Sequence, residues 1–218
     1  MLIFDCNGVL VDSEAIAATV ASQELTRAGF RVSPEIVSRF FAGRRPTDMV
    51  GDVEAATKRK LPADFAANLA ALTMRRLRAE VRATAHMEYA LTWLRGRKCV
   101  ASSSPHDRVR VSLESTGLLR FFEPYVFSAS DVPHGKPSPD LFLHAAKKMG
   151  IAPSECIVVE DSPAGVSAAT AAGMMSIGFI GGSHTGPNLG AYLTSAGARV
   201  VIADMRALKS TVVALRGW

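Results

Sequence analysis

Short apolar runs alternate with stretches of helical spacing over most of the chain. The first run, Leu2-Ile3-Phe4, ends at Asp5, and the later runs are equally short and equally poor in polar positions. Uninterrupted apolar runs of this length are typical of strands in a parallel sheet that is covered on both faces. The predicted strands are 2–4, 98–102, 125–127, 156–159, 175–180 and 199–202.

Helix start and stop signals separate these strands. Ser162-Pro163 is a typical N-cap followed by a proline at the first helical position, and Gly173 ends the same helix. Gly117 and Gly150 close two further predicted helices, 105–116 and 139–149. Strands and helices in repeated alternation predict an α/β protein with a Rossmann-like parallel sheet.

The segment 14–83 breaks this alternation, because it is rich in alanine and contains no convincing strand. Pro34, Pro46 and Pro62 mark helix starts within it. We therefore predict two units: an α/β core made of residues 1–13 plus 84–218, and an inserted helical cap at 14–83.

Composition excludes several classes of protein. With 48% hydrophobic residues and a net charge of +5 from 25 basic and 20 acidic residues, disorder is not expected. No apolar run approaches the ~20 residues of a membrane helix. Aromatic residues make up 7% and basic residues are scattered, which disfavours nucleic-acid binding.

The cysteines (Cys6, Cys99 and Cys156) form no CxxC pattern. We expect them buried in a cytoplasmic protein that is a monomer or a weak homodimer.

Chemically active residues follow the predicted strands. Asp5 comes after the first strand, Ser102 ends the second, and Glu160-Asp161 follows the fourth, while Lys136 precedes a predicted helix. Ligands of open α/β sheets bind beyond the carboxyl ends of the strands. Carboxylates that meet there with a hydroxyl and an ammonium predict a site for Mg²⁺ and a phosphorylated small metabolite.

These residues resemble the four motifs of the haloacid dehalogenase superfamily. The segment 5–14, Asp-Cys-Asn-Gly-Val-Leu-Val-Asp-Ser-Glu, is similar to the first motif, DxDGxxxDS. Ser102 matches the second motif, Lys136 the third, and Glu160-Asp161-Ser162-Pro163-Ala164-Gly165 the fourth. The cap falls where the helical-cap subgroup carries it. That subgroup includes beta-phosphoglucomutases and sugar-phosphate phosphatases.

The resemblance implies a role for each motif. Asp5 would be the nucleophile that forms an aspartyl-phosphate. Lys136 would bind the transferred phosphoryl group together with Ser102 and Ser103. The Mg²⁺ ligands that the resemblance implies are Asp5, the backbone carbonyl of Asn7, Glu160 and Asp161.

Residues outside the motifs are weaker candidates. Mutases of the subgroup bind a second phosphate with an arginine near a glycine that resembles Gly43, so Arg44 and Arg45 are candidate substrate-binding residues or simply solvated loop residues. His106 and His184 either border the pocket or have structural or solvent-exposed positions.

Asn7 departs from the family pattern. Phosphatases and mutases of this family carry Asp at this place, where it protonates the leaving oxygen and later activates water, and an amide cannot do so. Four explanations of Asn7 are open. The protein is an engineered Asp→Asn trap, a natural phosphatase with weakened activity, an enzyme with another activity, or a binder of a phosphorylated ligand without turnover. The Asn7-Gly8 pair is also prone to deamidation.

The sequence predicts an Mg²⁺-dependent phosphatase of a small phosphate monoester, such as a sugar phosphate. The alternatives are beta-phosphoglucomutase-like phosphoryl transfer and a non-catalytic phospho-ligand binder.

Overall fold

The computed structural model describes residues 1–41 and 46–216, and its centre is one parallel sheet. The strands of the sheet are β1 (Leu2–Phe4), β2 (Lys98–Ser102), β3 (Val126–Ser128), β4 (Ile157–Glu160), β5 (Met175–Phe179) and β6 (Val200–Ile202). Their order is β3-β2-β1-β4-β5-β6, and all neighbours are parallel. The predicted α/β class with a Rossmann-like parallel sheet is confirmed.

Alternate residues of each strand pack against helices on opposite faces. In β1, Leu2 and Phe4 belong to one buried cluster and Ile3 to another. The helices of the core are α5 (Met87–Trp93), α6 (His106–Ser115), α7 (Asp140–Met149), α8 (Pro163–Ala171), α9 (Leu189–Ala196) and α10 (Leu208–Arg216). The first cluster includes residues of α5, α6 and α10, and the second includes residues of α7 and α8. Because both faces are covered, the strands contain almost only apolar residues.

The insertion between β1 and β2 is helical. Its helices are α1 (Glu14–Arg27), α2 (Pro34–Phe41), α3 (Pro46–Thr57) and α4 (Phe65–Glu80). They share a buried cluster of their own, in which Leu25 and Phe65 are nearly inaccessible. Leu77, in the last turn of α4, belongs instead to the cluster of the sheet. The exact division into 1–13 plus 84–218 and 14–83 stays a prediction.

The glycine signals end helices where the sequence indicates. Gly150 follows α7 with a φ of +63°, and Gly117 lies two residues beyond α6 with a φ of +70°. These values are in the left-handed region, where glycine has no steric penalty. The helix α9 is not among the predicted elements, and its sequence contains Gly190, a residue that disfavours the interior of a helix.

The cysteine prediction agrees with the structure, since Cys6, Cys99 and Cys156 are all buried and unpaired. Burial is also the main cause that raises the pKa of the Cys6 thiol. Across residues 1–41 and 46–216, no helix combines the length and the apolar composition that crossing a membrane requires.

Candidate active site

The candidate site lies at the carboxyl edge of the two central strands, β1 and β4. Asp5 directly follows β1, and its backbone N–H donates to the carbonyl of Val159 in β4 at 3.0 Å. Glu160 is the last residue of β4, and Asp161 comes next. The parallel register therefore places three buried carboxylates side by side, as the sequence predicts.

Lys136 joins two of these carboxylates. Its Nζ donates to Asp5 Oδ1 at 2.5 Å, to Glu160 Oε1 at 2.6 Å and to the carbonyl of Ala101 at 3.2 Å. The exposed fractions of the Lys136, Asp5 and Glu160 side chains are only 5%, 9% and 1%. An ammonium has three donors, so Lys136 is fully satisfied inside the protein.

The charges of this group depend on one another. Burial acts to lower the pKa of Lys136, but the carboxylates of Asp5 and Glu160 raise it overall, so its ammonium stays charged. Burial raises the pKa of Asp5, and the charges of Glu160 and Asp161 add to this effect against the attraction of Lys136. Three buried carboxyl groups thus face a single ammonium, and a bound cation would favour their ionised forms.

Both carboxylate oxygens of Glu160 accept hydrogen bonds. Oε1 accepts from Lys136, while Oε2 accepts from the backbone N–H and from the hydroxyl of Ser162, each at 2.9 Å. The Ser162 hydroxyl in turn accepts from the N–H of Gly165 at 3.0 Å and caps α8. A Cβ on Gly165 would lie 1.8 Å from Glu160 Oε1, so only glycine fits there.

The side-chain amide of Asn7 links the loop after β1 to two serines, through its nitrogen and its oxygen. Its Nδ2 donates to the hydroxyl of Ser104 at 2.8 Å, and its Oδ1 accepts from the hydroxyl of Ser13 at 3.0 Å. Ser13 immediately precedes α1, the first helix of the insertion. The side chain at position 7 thus lies between the end of β2 and the start of the cap.

The serines after β2 form the next wall of the site. Ser102 is completely buried, and its hydroxyl accepts from the N–H of Ser104 at 3.2 Å. Ser103 is half-buried at the same edge. The structure thus places the predicted Ser102 and Ser103 beside the carbonyl of Ala101, which Lys136 contacts.

His184 is the residue of the site that sequence reasoning undervalued. Its Nε2 lies 2.8 Å from Asp161 Oδ2, and its side chain is only 12% exposed. Burial acts to lower the pKa of His184, but the bond to Asp161 raises it overall. Burial raises the pKa of Asp161 to about 6, with a further contribution from Glu160 and an opposing one from His184. The only sequence signal for this contact is the glycine-rich stretch after β5.

Gly8 makes room for this contact. Its φ is +79°, and a Cβ there would lie 2.0 Å from Asp161 Oδ2 and 2.6 Å from Cε1 of His184. A residue with a side chain would therefore collide with both groups and strain the backbone.

His106 does not join the cluster. It is half-exposed, and its Nε2 lies 2.8 Å from Asp131 Oδ1. Arg44 and Arg45 lie outside the described residues.

A divalent cation fits the donors of this site. Among residues 1–41 and 46–216, no three His, Cys, Asp or Glu side chains form a ready-made metal cluster. Two carboxylates, however, each have one oxygen with no hydrogen-bond partner in that part of the chain: Oδ2 of Asp5 and Oδ1 of Asp161. Oxygen atoms and unbalanced buried negative charge suit Mg²⁺, which commonly uses one or two carboxylates.

Comparison with known proteins gives a consistent family. The family of haloacid dehalogenase-like hydrolases matches residues 1–173 of this chain. The 6-phosphogluconate phosphatase of Escherichia coli is 32% identical over 189 residues, which are 84% of each chain. The validoxylamine A 7'-phosphate phosphatase of Streptomyces hygroscopicus is 29% identical over 180 residues, 81% of this chain and 84% of that one.

Two solved structures are similar over nearly the whole chain. A conserved haloacid dehalogenase-like protein of unknown function from Agrobacterium tumefaciens is 40% identical, with a TM-score of 0.88, and 99% of this chain and 98% of that one are covered. A hydrolase of the same family from Deinococcus radiodurans, solved with bound phosphate and sodium, is 29% identical, with a TM-score of 0.80 over 97% and 93% of the two chains.

Proposed function

Since the chain belongs to the haloacid dehalogenase-like hydrolases, we propose that it is a phosphatase that hydrolyses a small phosphate monoester, such as a sugar phosphate, with Asp5 as its nucleophile. Relatives named as phosphatases of phosphorylated sugars and sugar-like compounds match most of the chain. The observation that carries the proposal is the bridge from Lys136 to Asp5 and Glu160.

The bridge prepares Asp5 for attack on phosphorus. Lys136 fixes the Asp5 carboxylate by holding Oδ1, so the side chain does not rotate freely. In the proposed step an oxygen of Asp5 forms a bond to phosphorus while the bond from phosphorus to the substrate alcohol breaks. Water then attacks the phosphorus of the aspartyl-phosphate, which releases inorganic phosphate and regenerates Asp5.

The residues around Asp5 divide into two groups in this proposal. Ser102 and Ser103 bind the phosphoryl oxygens, and the Lys136 ammonium offsets their charge by turning its longest hydrogen bond, to the carbonyl of Ala101 at 3.2 Å, toward the phosphoryl group. Asp5, Asp161 and the backbone carbonyl of Asn7 would hold Mg²⁺, which supplies further positive charge to the phosphoryl group when bound. Glu160 holds Lys136 in place, since both of its oxygens are already hydrogen-bonded.

Asn7 sets the expected rate. The departing alkoxide needs a proton, and the amide of Asn7 has none to give near neutral pH. A missing acid/base group typically costs about 10²–10⁴-fold. We therefore propose a slow phosphatase that works best on substrates whose leaving oxygen needs little protonation. Asn7 is also the observation that favours the second candidate, a binder of phosphorylated ligands without turnover.

Phosphate release from a panel of sugar phosphates, including 6-phosphogluconate, tests the proposal. With Mg²⁺ present we expect release from at least one substrate, and we expect background rates from the Asp5→Asn variant. If no substrate releases phosphate while phosphorylated ligands raise the melting temperature, the chain is a binder and the phosphatase proposal is wrong.

A further inference from the structure

We infer that His184 is a positioning residue of the cation site, which holds the Asp161 carboxylate in the orientation that binds the divalent cation. The inference rests on the proposed function in one respect only: it takes Asp5 and Asp161 as the side chains that hold the cation. It concerns a histidine that belongs to none of the four motifs.

The contact with Asp161 is the polar anchor of the His184 ring. Nε2 lies 2.8 Å from Asp161 Oδ2, and the two side chains are only 12% and 8% exposed. The other ring nitrogen, Nδ1, is buried and has no hydrogen-bond partner in the part of the chain that the structure describes. A buried polar ring held by a single partner is oriented by that partner, and it orients the partner in return.

Two glycines shape the space for the ring. A Cβ on Gly8 would lie 2.6 Å from His184 Cε1, and a Cβ on Gly182 would lie 2.7 Å from the same atom. Gly8 belongs to the first motif, directly after Asn7, whereas Gly182 belongs to the loop of His184 itself. The ring is therefore packed between the loop that carries Asp5 and its own loop, and both loops limit its movement away from Asp161.

The loop that carries His184 is tied to the first motif at a second point. The carboxylate of Asp12 accepts from the hydroxyl of Ser183 at 2.7 Å and from its N–H at 3.4 Å. Asp12 therefore holds the neighbour of His184 in place, across 171 positions of sequence. Loop 181–186 closes one side of the site through these two contacts.

The contact with His184 uses only one of the two carboxylate oxygens of Asp161. Oδ2 faces the ring, whereas Oδ1 has no hydrogen-bond partner in residues 1–41 and 46–216. Glu160, one residue earlier, differs because both of its oxygens are bonded. Groups that hydrogen-bond to a metal-binding carboxylate orient it, and their removal typically weakens metal affinity by about 10–100-fold.

The test is a calorimetric titration with Mg²⁺, without substrate, of the parent and two variants. His184→Leu removes the hydrogen bond and keeps an apolar group between the glycines. His184→Gln offers an amide N–H at a similar distance from the backbone. We expect Leu to weaken Mg²⁺ binding by about 10–100-fold and Gln to restore most of it.

Two further variants separate positioning from general effects on folding. His106→Leu removes a histidine with an equally short contact to an aspartate, 2.8 Å from Asp131 and away from the cluster, and should leave Mg²⁺ affinity unchanged. Ser183→Ala loosens the loop without changing the ring, so we expect a smaller loss of affinity than with His184→Leu.

The outcomes distinguish this inference from the proposed function. Equal Mg²⁺ affinity of the His184→Leu variant and the parent overturns the inference, whatever the activity, and so does a parent that binds no Mg²⁺. If the affinity falls as expected but no protein releases phosphate, the inference stands and the phosphatase proposal fails.

Discussion

The two basic side chains that face the carboxylates, Lys136 and His184, are held in opposite ways. Lys136 makes three hydrogen bonds and is 5% exposed. Among the described residues, His184 has one polar partner, Asp161, and it comes from a glycine-rich loop. The Lys136 side of the site, formed by Lys136, Asp5 and Glu160, is therefore part of the folded core. The His184 side, formed by His184 and Asp161, instead orients a carboxylate that has one oxygen without a hydrogen-bond partner among the described residues.

The largest combined loss of stability and activity should come from Lys136→Met. It leaves Asp5 and Glu160 buried without their cation, and breaking a buried pair in this way costs about 3–5 kcal/mol. Loss of a donor to the phosphoryl group should lower kcat by at least about 10²–10³-fold. Chemical denaturation and phosphate release measure the two effects. Lys147→Met, on the exposed side of α7, is the control and should change neither.

Asn7→Asp, beside Ser13 and Ser104, should raise kcat by about 10²–10⁴-fold, because the carboxyl group can exchange protons with the leaving oxygen and with water. The neighbouring hydroxyls of Ser13 and Ser104 can both donate to a carboxylate, so the local geometry should persist. Asn7→Ala should give no gain. Equal turnover of the Asp variant and the parent would show that position 7 is not the acid/base position.

The pH dependence of stability should reveal the His184 side in the metal-free protein. The pKa of Asp161 is raised from 3.8 to about 6 on folding, so the folded protein keeps a proton that the unfolded chain has lost. The stabilisation from this group is complete below pH 3.8 and is lost as the pH rises through about 6. The loss is of order 3 kcal/mol.

Denaturation midpoints between pH 4 and 8 measure this loss. The Asp161→Asn variant should lack this part of the fall, and saturating Mg²⁺ should remove it from the parent. A parent whose stability does not change over this range would contradict the raised pKa of Asp161.

The smallest effect concerns the Lys136 side alone. Ser162→Ala removes the cap of α8 and one of the two bonds to Glu160 Oε2, which should cost about 1 kcal/mol of unfolding free energy. Ser210→Ala, whose hydroxyl donates to a backbone carbonyl near the surface, is the matched control and should cost less. A cost of several kcal/mol would mean that the placement of Lys136 itself depends on Ser162.

The sequence predicts the Lys136 side well for a physical reason. Asp5, Ser102 and Glu160 directly end or follow apolar runs, and parallel strands bring their carboxyl ends to one edge. The fold class and the strand bounds follow from the same local patterns, to within one residue at β3, β4, β5 and β6.

The His184 side depends on a contact that no local pattern encodes. His184 reaches Asp161 because loop 181–186 folds back over Gly8, and the distances involved are set by tertiary packing. The helix α9 was missed for a related reason: Leu193 packs with Val166 and Ala198 in a small cluster that the spacing of apolar residues does not reveal. The full hydrogen bonding of Glu160 also became visible only in the structure.

The role of Asp5 as nucleophile is best tested by the mass of the Asp5 peptide from protein that is acid-quenched during turnover with its best substrate and Mg²⁺. We expect this peptide to gain the mass of one phosphoryl group, and we expect no such gain in Asp5→Asn protein. Steady phosphate release with an unmodified Asp5 peptide at every quench time would contradict the assignment of Asp5 as the nucleophile.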